Sequence, residues 1–178
     1  MLKNLSLVIL TLLSLAGCND KKAKSGEPVD PPKKTATSAF EYNENFVNKE
    51  SSLALDISTT ESKVSIYKAA QQWDSIAVAG ERMERLIGAT IKEIKDNPAP
   101  DVKEGQNFKD AGLRYFEFMK NMYTVYKDYG HETTDAGRAK QLEKLSSLNE
   151  QKRIEIENIQ SAQKKLADAN NFKIGNKY

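Results

Sequence analysis

The spacing of apolar residues from position 38 onward is the feature that most constrains the fold of this chain. Large apolar side chains recur there three and four residues apart, which is the period of one face of an α-helix. No run of four or more alternating residues rich in Val, Ile or Thr is bounded by turn residues, as a strand would be. The sequence therefore predicts an all-α domain over residues 38–178.

Capping patterns and prolines set the limits of the first two predicted helices. Helix A begins at the capping box Ser38-Ala39-Phe40-Glu41, and a second pattern of this kind, Ser58-Thr59-Thr60-Glu61, predicts a break near Ser58 and the start of helix B. One continuous helix through Ser58 is the alternative. The prolines within Asp96-Asn97-Pro98-Ala99-Pro100 end helix B.

Two further helices follow this proline-containing loop. Helix C is predicted from about Asn107 to Tyr129, with Gly130 as a left-handed C-cap. Helix D is predicted from about Asp135 to Asn170, with leucines and isoleucines at near-heptad spacing and mixed charges between them.

Four amphipathic helices joined by short connections predict an up-and-down antiparallel four-helix bundle. At 1.5 Å per residue, helices B and D are expected to be about 50 Å long, and helices A and C about 30 to 35 Å long. Small residues on helix B, Ala77, Gly80 and Gly88, would let a neighbouring helix approach closely.

Helix C carries an unusual concentration of aromatic residues: Tyr115, Phe116, Phe118, Tyr123, Tyr126 and Tyr129. They cover more than half of the helix circumference, which is wider than one core stripe needs. One interpretation is a partly exposed surface for a ligand or partner. The other is that helix C is the most buried helix and directs its tyrosine hydroxyls outward. Trp73 of helix B is more typical of a core residue than of a site.

Composition excludes several classes of site. One cysteine and one histidine, His131, cannot form a disulfide framework, a multi-cysteine metal site or the two Glu-x-x-His motifs of a di-iron bundle. Haem ligation by His131 with Met119 or Met122 is formally possible, but His131 is predicted to lie in a turn. A net charge of +2 does not favour nucleic acid as a partner. We expect no cofactor, no metal and no catalytic residues.

The first seventeen residues have the features of a targeting segment. A short basic start with Lys3 precedes an apolar run from Leu5 to Leu15, which is too short for a permanent transmembrane helix. The sequence Leu15-Ala16-Gly17-Cys18 resembles the lipobox of bacterial lipoprotein precursors. This resemblance implies cleavage before Cys18 and acylation of Cys18, with palmitate among the expected chains. An ordinary secretory signal with an accidental cysteine is the alternative.

Residues 18–37 are interpreted as the lipidated cysteine followed by a flexible tether. The segment is rich in lysine, contains three prolines and has Val29 as its one large aliphatic residue. Its lysines could also contact anionic head groups. Asn19 is not the aspartate that favours inner-membrane retention in many Gram-negative cells, so we expect an outer-membrane location, in either leaflet.

The predicted domain resembles a family of small, uncharacterised bacterial surface lipoproteins. The resemblance is carried by Tyr42-Asn43, by the helix C segment Leu113-Arg114-Tyr115-Phe116-Glu117-Phe118 and by the ending Lys164–Phe172. It implies a helical surface lipoprotein and supplies no catalytic residues. We therefore expect a non-catalytic protein that binds or scaffolds another component of the cell envelope. A small-ligand or solute-binding lipoprotein with a cavity between helices is the alternative.

The predicted topology also gives the domain two unlike ends. Because the tether enters helix A, the loop at Pro98–Pro100 should lie near the membrane. The turns at Ser58–Thr60 and Gly130–Thr134 should lie at the distal tip and have no role in packing.

Replacement of Cys18 tests the lipid anchor. Cys18→Ser removes the thiol that would be acylated, so the full chain is expected to lose incorporation of labelled palmitate and to leave the membrane fraction. Cell fractionation and metabolic lipid labelling are the measurements. A variant that stays labelled and membrane-bound to the wild-type extent would contradict the lipoprotein assignment.

Overall fold

The structure, a computed structural model, describes residues 38–174, which form four α-helices. α1 spans Ala39–Ala69, α2 spans Trp73–Asp96, α3 spans Gly105–His131 and α4 spans Asp135–Ala169. No strand occurs within these described residues, so the prediction of an all-α fold is confirmed for them. The signal peptide, Cys18 and the tether, predicted over residues 1–37, lie outside the described part of the chain.

Side-chain caps start two of the helices where the sequence predicts them. The Ser38 hydroxyl accepts a hydrogen bond from the Glu41 backbone N–H at 3.1 Å, and the Glu41 carboxylate accepts one from the Ser38 N–H at 2.9 Å. The Thr134 hydroxyl accepts a bond from the Gly137 N–H at 3.0 Å and caps α4. These bonds satisfy donors that the first turn of a helix leaves free.

The predicted break at Ser58 is wrong, because α1 continues through it to Ala69. Residues 70–72 separate α1 from α2, and Gln71 adopts a positive φ of 55° there. Thr60 and Val64 are buried and continue the inward-facing stripe, so tertiary packing outweighs the local capping pattern. α1 and α4, with 31 and 35 residues, are therefore the longer helices, about 46 Å and 52 Å.

Gly130 does not end α3 as predicted, since this helix extends to His131. The lack of a side chain instead allows close contact between α2 and α3. A Cβ on Gly130 would lie 2.6 Å from the Trp73 carbonyl oxygen, and one on Gly80 would lie 2.5 Å from the Lys127 nitrogen. The prediction that Gly80 permits close approach is confirmed. The same prediction is wrong for Gly88, which has no atom within 4 Å of its ideal Cβ position.

The core is built around α3, the most heavily buried helix. α2 covers it most closely, α4 covers a second side, and α1 packs less closely against α2 and α4. The other helices contribute mainly aliphatic side chains and one phenylalanine to this core, including Phe46, Leu53, Ile57, Ile76, Met83, Ile87, Leu145, Ile159 and Leu166. The six aromatic residues on which the sequence prediction rested are all buried.

Aromatic contacts close both ends of the helical bundle. Phe40 and Phe172 pack edge to face at one end, with ring centroids 5.8 Å apart. At the other end Trp73 packs on Tyr129 at 5.7 Å, and the guanidinium of Arg138 lies over the Trp73 ring at 4.8 Å. The first contact joins residues near the two ends of the described chain, and the second joins α2, α3 and α4.

The turn between α3 and α4 has a packing role that the sequence did not predict. The Glu132 carboxylate accepts a hydrogen bond from Gln141 Nε2 at 3.2 Å, and the Glu132 carbonyl accepts one from Arg138 at 2.5 Å. The expectation that both predicted turns are free of packing is therefore wrong here. It is also wrong at Ser58–Thr60, which is helical.

Three glycine substitutions test the contact between α2 and α3. Gly80→Ala and Gly130→Ala place a methyl group against backbone atoms that cannot rotate away, so each should lower the free energy of unfolding by about 1–3 kcal/mol. Gly88→Ala is the matched control, because its methyl group enters open space and alanine favours the helix by about 0.5–1 kcal/mol. Urea unfolding measures all three. Equal effects of the three substitutions would contradict the close contact.

Candidate functional site

A groove lies between the first half of α1, the end of α2 and the loop that follows α2. Its volume is about 830 Å³, within the range of small-molecule sites. The lining combines amide, hydroxyl, charged, aromatic and proline side chains: Tyr42, Asn45, Phe46, Asn48, Lys49, Ser52, Glu93, Ile94, Asn97, Pro98, Ala99, Pro100 and Asp101. We refer to it as the α1–α2 groove.

Packing on α3 fixes the aromatic side chains of the groove. Phe46 lies 5.0 Å from Phe108 and 5.3 Å from Phe116, measured between ring centroids, and its ring fills the space that Gly112 leaves without a side chain. Tyr42 packs edge to face on Phe108 at 6.1 Å. Burial, and to a lesser extent the charge of Asp110, raises the pKa of Tyr42 to about 12, so its hydroxyl stays protonated.

Polar contacts connect the two walls of the groove and order its loop. Lys49 of α1 forms an ion pair with Glu93 of α2. Asn97 Nδ2 donates to the Glu93 carbonyl at 2.8 Å, and Lys109 Nζ donates to the Asn97 carbonyl at 2.6 Å. The proline-containing loop is thereby attached to both α2 and α3. These bonds hold the loop wall of the groove in place without a bound partner.

A smaller hollow of about 320 Å³ lies farther along the interface between α1 and α2. It is lined by Thr60, Lys63, Tyr67, Asp74, Ser75, Val78, Ala79 and Arg82. Arg82 also reaches Asp56 of α1, with N and O atoms 2.6 Å apart. Both openings lie between α1 and α2, and α1 packs less extensively on α2 than α3 does.

Two glutamates that α1 directs towards the core are its most unusual groups: Glu50 is buried and Glu61 is partly buried. Tyr115 donates its hydroxyl hydrogen bond to Glu50 Oε1 at 2.8 Å, and Tyr126 donates to Glu61 Oε2 at 3.1 Å. We call these pairs the Glu–Tyr rungs. Within the described residues the second oxygens, Glu50 Oε2 and Glu61 Oε1, are buried without a hydrogen-bond partner. Each carboxyl group therefore has only half of its acceptors satisfied.

Burial is the largest influence on the pKa values of Glu50, Glu61 and Tyr123. It raises the pKa of Glu50 to about 7, although the Tyr115 hydrogen bond acts in the opposite direction. It also raises the pKa of Glu61, against the opposing effects of the Tyr126 and Tyr123 hydroxyls and the charge of Lys152. Burial and the nearby Glu61 likewise raise the pKa of Tyr123, whose hydroxyl has no hydrogen-bond partner among the described residues. Burial thus favours the neutral form of both glutamates relative to an exposed carboxyl group.

A further polar contact joins α1 to α4. Gln163 Nε2 donates to Asn43 Oδ1 at 2.8 Å, and both side chains are buried. Farther along the same interface, burial lowers the pKa of Lys152, although the charge of Glu61 raises it. α1 therefore presents a row of polar groups to α3 and α4 inside a largely apolar core.

The aromatic residues of α3 do not form an exposed surface, so that interpretation is wrong. Tyr123 and Tyr126 are only 2% and 5% exposed. The alternative, that α3 is the most buried helix, is confirmed, but the hydroxyls of Tyr115 and Tyr126 point to buried carboxyl groups and not outward. Trp73 is partly buried and packs on Tyr129, as a core residue does.

Other residues considered from the sequence lie apart from one another. His131 is exposed at the end of α3, whereas Met119 and Met122 are buried. No group of three or more His, Cys, Asp or Glu side chains in the described residues is arranged to hold a metal ion.

The Glu–Tyr rungs were not predicted, although one sequence signal indicates them. Glu50 and Glu61 occupy positions on the inward stripe of α1, with Val47, Leu53 and Val64 as neighbours on that stripe. A glutamate in an apolar stripe requires a polar partner. The identity of that partner, a tyrosine 65 positions away, requires the tertiary structure.

Comparison of the chain with protein-family models, with curated proteins and with solved structures finds no match. Within residues 38–174, no helix has the length and apolar character that crossing a membrane requires. The geometry of the α1–α2 groove and the Glu–Tyr rungs is therefore the basis for assigning a function.

The pKa of Glu50 gives a prediction about stability against pH. Because it lies near 7 in the folded state and 4.5 in its ordinary state, the folded protein keeps a proton that the unfolded chain loses. The contribution of this proton to the free energy of unfolding is at most about 3 kcal/mol. It is fully present below about pH 4.5 and is lost as the pH rises to about 7.

Urea unfolding of Glu50→Gln against wild type measures this effect. The variant should match the wild type within about 1 kcal/mol near pH 4.5 and be more stable near pH 7.5, because its amide cannot ionise. Glu143→Gln, which removes an exposed carboxyl group of α4, is the matched control. Parallel stability curves for wild type and Glu50→Gln would contradict the prediction.

Proposed function

We propose that this protein is a lipid-anchored, non-catalytic component of the bacterial cell envelope that binds another envelope component through the α1–α2 groove. The sequence Leu15-Ala16-Gly17-Cys18 supports the anchor, with Cys18 as the lipidated residue. The groove of about 830 Å³ supports binding and is the observation that carries the proposal. An outer-membrane location, in either leaflet, is part of the proposal.

The proposed arrangement of the helices is an up-and-down antiparallel bundle. Contacts between residues near opposite ends of successive helices support it. Lys49 near the start of α1 pairs with Glu93 near the end of α2, and Gly130 at the end of α3 lies against Trp73 at the start of α2. In this arrangement α1 and α3 run in the same direction, which agrees with the equal spacing of the Glu–Tyr rungs.

This arrangement favours a partner that lies at the membrane. The groove begins at Tyr42, one turn from Ser38, where the tether joins α1. A flexible tether of about twenty residues reaches roughly 25 Å on average. The proline-containing loop and the groove would therefore lie at the membrane-proximal end of the domain. A partner that is itself anchored in the same membrane fits this position.

The lining of the groove favours an uncharged, extended polypeptide segment of that partner. Lys49 is already paired with Glu93, so a charged ligand would have to compete with this contact. Asn45 and Asn48 carry both donors and acceptors, which match the N–H and C=O groups of a peptide backbone. Tyr42, which is only partly buried, adds an aromatic surface for an apolar side chain.

A small polar solute is the second candidate ligand. The groove volume lies in the range of small-molecule sites, and Tyr42 with Phe46 gives one aromatic wall. Partial opening to solvent and a lining that is about equally polar and apolar favour the polypeptide segment over this alternative. In the photocrosslinking experiment below, a bound polypeptide gives an adduct with a second protein and a bound solute does not. The two candidates are distinguished by this result.

Site-specific photocrosslinking in the native membrane tests the proposed function. p-Benzoylphenylalanine at Asn48, in the groove, should give a defined adduct with one envelope protein, whereas the same probe at Ser146 of α4 should not. Ser52→Trp fills the groove and should reduce this adduct at least about tenfold, since the partner and the indole compete for the same space.

Ser51→Trp is the matched control, because Ser51 is an exposed neighbour on α1 that does not line the groove. It should leave the adduct at Asn48 unchanged. Equal adducts from Asn48 and Ser146, or an adduct that Ser52→Trp does not reduce, would overturn binding through the groove. Mass spectrometry of the adduct identifies the partner and its crosslinked segment.

A further inference from the structure

The two Glu–Tyr rungs form a repeated contact between α1 and α3. Glu50 and Glu61 are eleven residues apart, and so are Tyr115 and Tyr126. Eleven residues correspond to three helical turns, so each pair of side chains lies on one face of its helix. The position of α1 against α3 is therefore defined twice, by the same kind of bond.

Both rungs suit a protonated carboxyl group better than an ionised one. Each carboxyl group accepts one tyrosine hydrogen bond, and its second oxygen, Glu50 Oε2 or Glu61 Oε1, is buried without a partner among the described residues. A buried carboxylate needs several hydrogen bonds or a close cation to offset the loss of water. Ionisation of Glu50 or Glu61 in this geometry therefore opposes the packing of α1.

The charged and titratable surroundings do not supply the missing compensation. From α3, Tyr115 acts on Glu50, and Tyr123 and Tyr126 act on Glu61. From α4, Lys152 acts on Glu61 through its charge, and within the described residues no titratable group of α2 contributes to either glutamate. Glu50 therefore has no cation to balance it, and Glu61 has one that is itself half-buried.

α1 connects the rungs to the groove, because the same turns of this helix carry Glu50 and residues that line the groove. Lys49, one residue before Glu50, and Ser52, two residues after it, line the groove, and so does Phe46, one turn before it. α1 also packs less closely on α2 and α4 than α3 does. A change in how firmly α1 is held against α3 therefore changes the groove directly.

We propose that α1 is a pH-sensitive wall of the α1–α2 groove, held against α3 while Glu50 and Glu61 are protonated and loosened when they ionise. As regulation of the groove, the inference rests on the proposed function. The movement of α1 itself does not depend on any partner. Acidification strengthens the packing of α1 against α3, and a rise towards neutral pH weakens it.

Hydrogen exchange of the full chain, monitored residue by residue from pH 4.5 to 7.5 and corrected for the intrinsic exchange rate, tests this proposal. Protection of the α1 amides, relative to those of α3, should fall at least about tenfold over this range, because the loosened state releases a proton that the packed state keeps. The double variant Glu50→Gln/Glu61→Gln should keep its α1 protection, since amides accept the tyrosine hydrogen bonds without ionising.

Glu143→Gln, on the exposed face of α4, is the control and should behave as the wild type. Constant relative protection of α1 in the wild type, or an equal loss in the double variant, would overturn the proposal. A pH-dependent loss confined to α1 and absent from the double variant would support it. Because no partner takes part, a failed crosslinking experiment at Asn48 would overturn the proposed function and leave this result standing.

Discussion

The close approach of α2 and α3 is the contact on which the rest of the structure depends. Gly80 and Gly130 lie on opposite helices of this pair, and each faces backbone atoms of the other helix. Both contacts lie where the start of α2 meets the end of α3, and they bring the two backbones together there. The aromatic side chains of α3 are then free to face α1 and α4, so these helices cover a surface that the α2–α3 pair has already formed.

α1 is held to that surface by a different kind of interaction. Apolar contacts of Phe46 with α3 are interspersed with buried polar pairs, the Glu–Tyr rungs and the pair of Asn43 with Gln163. Buried polar groups contribute little net stability but strongly penalise arrangements that separate the partners. They therefore fix the position of α1 and add little to the stability of its packing. This combination of defined position and modest stability suits a helix that forms the wall of a binding groove.

The groove itself follows from how the helices begin and end. α2 ends at Asp96, and the chain needs residues 97–104 to reach the start of α3. This loop is attached to α3 by Lys109 and cannot fill the space beside α1. An opening remains that α1 lines with aromatic and amide side chains, and that the end of α2 and its loop line from the other side. Its position near the start of α1 connects it with the proposed membrane anchor.

The sequence by itself determined the all-α class, the capping box at Ser38, the end of α2 before Pro98 and the start and end of α4. These features depend on periodicity and on backbone hydrogen bonds that span only a few residues. Only the tertiary structure decided that α1 continues through Ser58 and that Gly130 lies inside a helix. It also decided that Glu50 and Glu61 pair with tyrosines of α3 and that the α1–α2 groove stays open. The physical reason is that these outcomes depend on contacts between residues tens of positions apart, whose burial outweighs local preferences.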